Sequence, residues 1–308
     1  MNKMVIGVDI GGSHITCMGI EPAGRLFLED YTTRYDLDCQ SSAESILGIW
    51  TRAISDLISM IGAAKLSGIG FAMPGPFDYP GGIAWFKGVQ KYESLYGVDI
   101  RKELIRRLGL LPSLPIRFLN DASCFAIGEA WMGMASGFSR SISITLGTGF
   151  GSAFIADGIP VVSGPLVPES GCVYHLPYGN SIADDHFSTR WFVHRHDESC
   201  EKEVKGVKEL LEQDPCAKTK FLEFGENLGT FLSPWIRKFE AGCLVIGGNI
   251  ARSFSLFEVP MLKSLENAGC HIPVFISELG EKAAIAGAAR LCDDSFYNRL
   301  PFISGISK

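Results

Sequence analysis

Ser141–Gly164 reads SISITLGTGFGSAFIADGIPVVSG, and this stretch decides the fold. A run of apolar and small residues, Ser141–Leu146, meets a glycine turn at Gly147–Gly149. A second apolar run leads to the Asp157-Gly158 turn, and a third run follows. The N-terminus has the same order. Val5–Val8 is apolar, Gly11 and Gly12 make a tight turn, Ile15–Ile20 returns, and Pro22–Gly24 turns again into Arg25–Leu28. Laying Val5–Gly24 beside Ser143–Gly158 pairs DIGGS with LGTGFG. Two copies of a three-stranded unit, each leading on to helices and further strands, predict a duplicated α/β domain with a cleft between its halves.

The connecting segments agree. Ser42–Ile61 carries Ile46, Ile49, Trp50, Ala53, Leu57, Ile58 and Ile61 at helical spacing. LSGIGFAMPGPF (66–77) is a buried strand that ends in a Pro-Gly-Pro loop. Asp99 caps a short helix closed by Gly109, and PIRFLND (115–121) is a strand running into the helix ASCFAIGEAWMG. Lys218–Phe239 is a helix. GCLVIGGN (242–249) is strand then turn, PVFIS (273–277) is a strand, and ELGEKAAIAGAARL (278–291) is a small-residue helix able to pack tightly against a neighbour.

Composition bounds the function. The 308 residues are 46% hydrophobic and 20% charged, the balance of a globular protein, and no apolar run approaches a membrane span. A net charge of −6 without a basic block speaks against a nucleic-acid surface. The nine cysteines are scattered without a CxxC pair, which points to reduced thiols in a cytoplasm, and the N-terminus lacks a signal-peptide cleavage pattern.

Each of three glycine loops follows an apolar strand. A turn without Cβ atoms can aim several N–H groups at one phosphate. In DIGGSH, Gly11, Gly12 and Ser13 can wrap a phosphate tail, and Asp9 stands where it can hold Mg2+ through water. In LGTGFG, Thr148 and Gly149 add a hydroxyl and a backbone donor. In VIGGN, Gly247, Gly248 and Asn249 suit close approach to a nucleoside. None is a GxxxxGK[ST] loop or a GxGxxG entering a helix. The plain alternative for each is a hairpin turn, for which glycine is the default residue.

DIGGS, GFAMPGPFD, NDASCFAIGEAWMG, LGTGFGSAFIADG, LVIGGNIARS and ELGEKAAIAGAARL occur in the order of the ROK family (repressors, open reading frames and kinases), which the chain resembles over nearly its whole length. The resemblance implies the actin-like ATPase (ribonuclease H-like) fold. Residues 1–119 with 279–308 would form a smaller domain, and 120–278 a larger one. It implies an ATP-dependent sugar kinase using Mg2+, tending to homodimers. The other readings are a catalytically inactive sugar-binding protein and a sugar-responsive regulator. In the family the Asp of the Asn-Asp pair is the base and both residues touch the sugar; here they are Asn120 and Asp121. Gly75 falls in the sugar-side loop. There are two departures: His14 stands where the family often has Lys, and Lys91 near a usual sugar-contacting Asn.

The resemblance places the family's zinc knuckle in Pro168–Phe192, PESGCVYHLPYGNSIADDHFSTRWF, which holds only Cys172. One thiolate and one His cannot complete a closed zinc site, so no structural zinc is expected. His175, Glu169 and Asp184 resemble the family's sugar ligands. Rebuilding a metal site from His175, Asp184, Asp185, His186, His194, His196 and Cys200 is less favoured than solvated polar residues and substrate ligands.

Overall fold

The computed structural model describes residues 3–197, 204 and 206–301. The chain forms two compact units, Met1–Met132 with Glu281–Lys308, and Gly133–Gly280.

Unit one is built on a five-stranded sheet of β1 (Met4–Ile10), β2 (His14–Glu21), β3 (Leu26–Asp36), β4 (Leu66–Met73) and β5 (Ile116–Asn120), in the order β3-β2-β1-β4-β5. β2 is antiparallel to β1 and β3, whereas β1, β4 and β5 run parallel. Unit two repeats the plan with β6 (Arg140–Leu146), β7 (Phe150–Ala156), β8 (Ile159–Pro160), β9 (Cys243–Gly247) and β10 (Val274–Ile276), in the order β8-β7-β6-β9-β10. Its antiparallel and parallel neighbours match those of unit one. The repeat seen in the sequence is thus a repeat of sheet topology. The first two glycine loops are the β1–β2 and β6–β7 turns, and the third follows β9.

The parallel strands read as near-continuous apolar runs because both faces are covered: Val5, Ile6, Val8, Ile10, Ile69, Phe71 and Met73 are all buried. Edge strand β3 runs to Asp36, well beyond the Arg25–Leu28 expected. Its residues are exposed or half-buried, so no apolar alternation marks it in the sequence. Helix α1 (Ala43–Ile61) starts where Ser42 Oγ accepts the Ser45 N–H at 3.3 Å. Helix α2 (Ile100–Leu108) is capped by Asp99 Oδ1 on the Lys102 N–H at 2.9 Å and ends at Gly109 with φ 61°.

Helix α3 (Asp121–Met132) follows β5, and α4 (Thr189–Asp197), α5 (Ala217–Phe239), α6 (Glu258–Asn267) and α7 (Glu281–Arg290) come later in the chain. Small residues let α3 and α7 meet backbone to backbone. A Cβ on Gly128 would lie 1.9 Å from the Ala283 carbonyl oxygen, and one on Gly287 1.8 Å from that of Cys124. Gly7 and Gly70 do the same for the sheet, at 2.2 Å from Ile285 O and 1.7 Å from Ala288 O. This packing holds α3 in unit one. The boundary therefore falls after Met132, not before Asn120 as the sequence reading had it, and the chain returns at Glu281.

Unit two's core is rich in phenylalanine. Phe150, Phe187, Phe192, Phe221, Phe224 and Phe257 are buried together. Cys17, Cys39, Cys124, Cys172, Cys216, Cys243, Cys270 and Cys292 are free thiols, and Cys200 lies outside the described residues. Among the described residues no helix is long and apolar enough to cross a membrane.

Candidate active site

In unit one the expected residues gather at one end of the sheet. Asp9 lies near the C-terminal end of β1, Asn120 ends β5 opposite Met73 of β4, and Gly75 lies just past Met73. The C-terminal edge of parallel strands is where open α/β sheets bind ligands.

The first glycine loop is closed by the Gly11 N–H donating to His14 O at 3.0 Å, and the Leu37 N–H ties down Ser13 O at 2.9 Å. Tyr92 Oη donates to the Gly11 carbonyl. The His14 ring lies over Gly11, with Nδ1 3.2 Å from Ser13 Oγ. Gly12 and Ser13 are exposed, so their backbone donors are available to a ligand.

Asn120 and Asp121 divide two tasks. Asn120 Oδ1 caps α3 by accepting the Ser123 N–H at 3.1 Å. Its Nδ2 donates to Asp121 Oδ1 at 2.9 Å, and the Ala122 N–H donates to the same oxygen at 2.8 Å. Both bonds fall on Oδ1. Burial raises the Asp121 pKa above the ordinary carboxylate value, opposed by the Ala122 N–H, the Lys91 charge and the Asn120 amide. Asp9 is pushed from 3.8 to about 7 by burial and by the charges of Asp121 and Glu281, with Arg34 opposing. Arg34 Nη1 pairs with Glu281 Oε2 at 2.7 Å.

In unit two, residues 184–190 clamp the second glycine loop. Asp184 Oδ1 accepts the Phe150 N–H at 2.6 Å, and Oδ2 pairs with Arg190 Nη2. Arg190 Nη1 donates to Thr148 O at 3.0 Å, and the Thr189 N–H and Oγ1 reach Gly147 O at 2.8 and 2.9 Å. Each oxygen of Asp184, expected at the sugar, has a protein partner, and these bonds brace the loop. Thr148 is exposed and Gly149 half-buried. Gly248 has φ 86°, and a Cβ there would lie 2.3 Å from Leu146 O. The approach its missing side chain permits is therefore to β6, while Gly247 is buried and Asn249 exposed.

Aromatic rings hold the Pro168–Phe192 segment. Phe187 lies 5.4 Å from Phe150, 5.0 Å from Tyr178 and 5.0 Å from Phe231, ring centre to ring centre. Glu169 is exposed. His175 is half-buried, with Nδ1 3.8 Å from Cys172 Sγ. The described residues contain no group of three or more His, Cys, Asp or Glu side chains disposed to hold a metal ion; Cys200 lies outside them. His196, expected among solvated polar residues or substrate ligands, is buried. Its Nδ1 sits 2.9 Å from Asp214 Oδ2, which also accepts from Lys220 Nζ at 2.5 Å. Burial raises the Asp214 carboxyl, but Lys220, His196 and the Cys216 N–H outweigh it and hold it near about 2.

The ROK family profile matches residues 5–295. The chain belongs to the ROK family. It is 23% identical to an N-acetyl-D-glucosamine kinase from Haemophilus influenzae, covering 94% of this chain and 99% of that one. It is 32% identical to an N-acetyl-D-glucosamine kinase from Photobacterium profundum, over 50% of this chain and about half (47%) of that one. Among solved structures it is similar to a ROK family glucokinase from Streptomyces griseus in complex with glucose and AMPPNP (TM-score 0.72, 22% identity, 94% of this chain and 98% of that one). A ROK family transcriptional regulator gives a TM-score of 0.73 at 16% identity over 97% of this chain and 79% of that one. The architecture is thus the actin-like ATPase fold of ROK hexokinases, and it serves kinase and regulator alike.

Each unit holds its glycine loop with residues that no motif marks: in unit one Tyr92 anchors the first loop and Arg34 and Glu281 act on Asp9, and in unit two Arg190 braces the second loop. All act from distant segments.

Proposed function

We propose that this ROK protein is an ATP-dependent sugar kinase that transfers the γ-phosphoryl group of Mg-ATP to a hydroxyl of a hexose or hexose derivative. N-acetyl-D-glucosamine and glucose come first, from the names of its relatives. The observation that carries the reading is Asp121: a half-buried carboxylate with raised pKa, oriented by Asn120, at the sheet edge that also bears the Gly11–Ser13 loop.

The residues present suit the substrates. Gly12 and Ser13 offer exposed backbone donors for phosphate oxygens, and Asp9 suits a water-mediated contact to substrate Mg2+. In unit two the braced Thr148–Gly149 turn and the Gly247–Asn249 turn suit the nucleotide. Gly75, Glu169, His175 and Asp184 are the remaining candidates for the sugar.

Phosphoryl transfer needs position and charge more than covalent help. As the sugar oxygen bonds to the γ-phosphorus, the bond to the ADP oxygen breaks and the hydroxyl proton passes to Asp121 Oδ2. The raised pKa brings Asp121 closer to the working pH, which improves a general base.

The test is coupled ADP release over a panel of glucose, mannose, amino sugars and N-acetylated sugars. A sugar-dependent signal is expected, and Asp121→Asn should lose it while still binding AMPPNP. Wild-type turnover in that variant would overturn the assignment. Sugar binding without ADP release would favour the inactive sugar-binding reading, to which the imidazole at His14 lends some support. A homodimer in the cytoplasm is the associated expectation, and light scattering checks the oligomer.

A further inference from the structure

The segment that carries Lys91 is fastened to the first glycine loop. Tyr92 is fully buried, with φ 58°, and its ring packs at 5.5 Å from Trp50 and 5.6 Å from Phe86. Its N–H donates to Cys39 O at 2.8 Å, and its hydroxyl donates to Gly11 O. The neighbouring Lys91 reaches over the loop. A Cβ placed on Gly12 would lie 3.4 Å from Lys91 Cε and 3.5 Å from Nζ.

Among the described residues this ammonium has neither a hydrogen-bond partner nor an ion-pair partner, whereas Arg34, whose charge acts on Asp9, is paired with Glu281. An unpaired ammonium on a half-buried residue, lying beside open backbone N–H groups, offers an anion both donors and counter-charge. His14, on the loop itself, offers only an imidazole, with Nδ1 at Ser13.

We propose that Lys91 contacts the terminal phosphoryl group of the nucleotide bound at Gly12 and Ser13, and supplies the positive charge for its transfer. The inference rests on the nucleotide part of the reading above and extends it to a residue outside any phosphate-loop motif. The same ammonium acts on Asp121, where its field favours the carboxylate that burial disfavours. One side chain thus serves both the transferred group and the base.

The experiment compares Lys91→Met, Lys91→Gln and Lys91→Arg with wild type in calorimetric binding of Mg-AMPPNP and Mg-ADP, and in turnover. Wild type should bind AMPPNP more tightly than ADP. Met and Gln should abolish that preference while leaving ADP affinity intact, and should lower kcat by about 10²–10³-fold, the usual cost of one lost donor to developing charge. Arg should retain most of both. The acidic limb of the kcat/KM profile should move to higher pH in the Met and Gln variants, a shift that a purely packing role does not produce. An unchanged AMPPNP-to-ADP ratio in Met and Gln overturns the inference, as does a wild-type protein without that preference. If wild type phosphorylates no sugar but its AMPPNP preference disappears in the variants, the kinase reading falls and the Lys91 contact stands.

Discussion

Asp9→Asn separates the cost of the site from its use. The Asp9 carboxyl sits at about 7 instead of 3.8, so it differs by about three units between folded and unfolded chains. At about 1.4 kcal/mol per unit, the ionised form costs the fold about 4 kcal/mol, less whatever water reaching this half-buried group recovers, or about 2–4 kcal/mol. A raised folded-state value means the folded chain holds the proton longer. The stabilising contribution is complete below about pH 4 and is lost as pH rises through about 7. Asn is neutral throughout. Its advantage over wild type should be near zero at pH 4 and reach about 2–4 kcal/mol at pH 8. Urea unfolding followed by tryptophan fluorescence reads this directly, since Trp50 and Trp131 lie in the same unit. Part of the shift comes from Asp121, so Asp121→Asn should remove part of the pH dependence. A difference between Asp9→Asn and wild type that is the same at pH 5 and pH 8 would refute the reasoning. The stabilised variant should also lose use of Mg-ATP, because the strain belongs to the site.

Asp214→Ala should destabilise unit two by about 3–5 kcal/mol in urea unfolding, since it leaves Lys220 and His196 buried without their shared carboxylate. Gly287→Ala should yield little soluble protein, because its Cβ would fall 1.8 Å from the Cys124 carbonyl oxygen. Gly48→Ala, exposed within α1 and with open space around it, should instead raise stability by about 0.5–1 kcal/mol in the same assay. Arg190→Ala should raise the KM for ATP about tenfold or more by freeing the Thr148 turn, the loss expected for a charge-assisted hydrogen bond. An unchanged KM would show that the loop holds its shape without the clamp.

Much of the molecule was legible along the chain. Strand, glycine turn and returning strand recur at Val5–Gly24 and Ser143–Gly158 because a hairpin and its buried strands are specified by neighbouring residues. Ser42, Asp99 and Gly109 mark helix ends through bonds to residues a few positions away, and Asn120-Asp121 shows at the end of its strand for the same reason. The edge strand β3 extends beyond the expected run because its residues are only partly buried, which leaves a weak pattern to read.

What the sequence alone determined was therefore the repeated strand-and-turn order and its glycine turns, while the candidate base came from the resemblance to the family. The tertiary structure decided the rest. It placed α3 with α7 through Gly128 and Gly287, turned Asp184 onto the Phe150 N–H, set Gly248 against Leu146, raised Asp9 by burial and by neighbouring carboxylates, and brought Lys91 over Gly12. Each of these depends on a distance or a field between segments far apart in the chain, and spacing along the sequence carries no information about either.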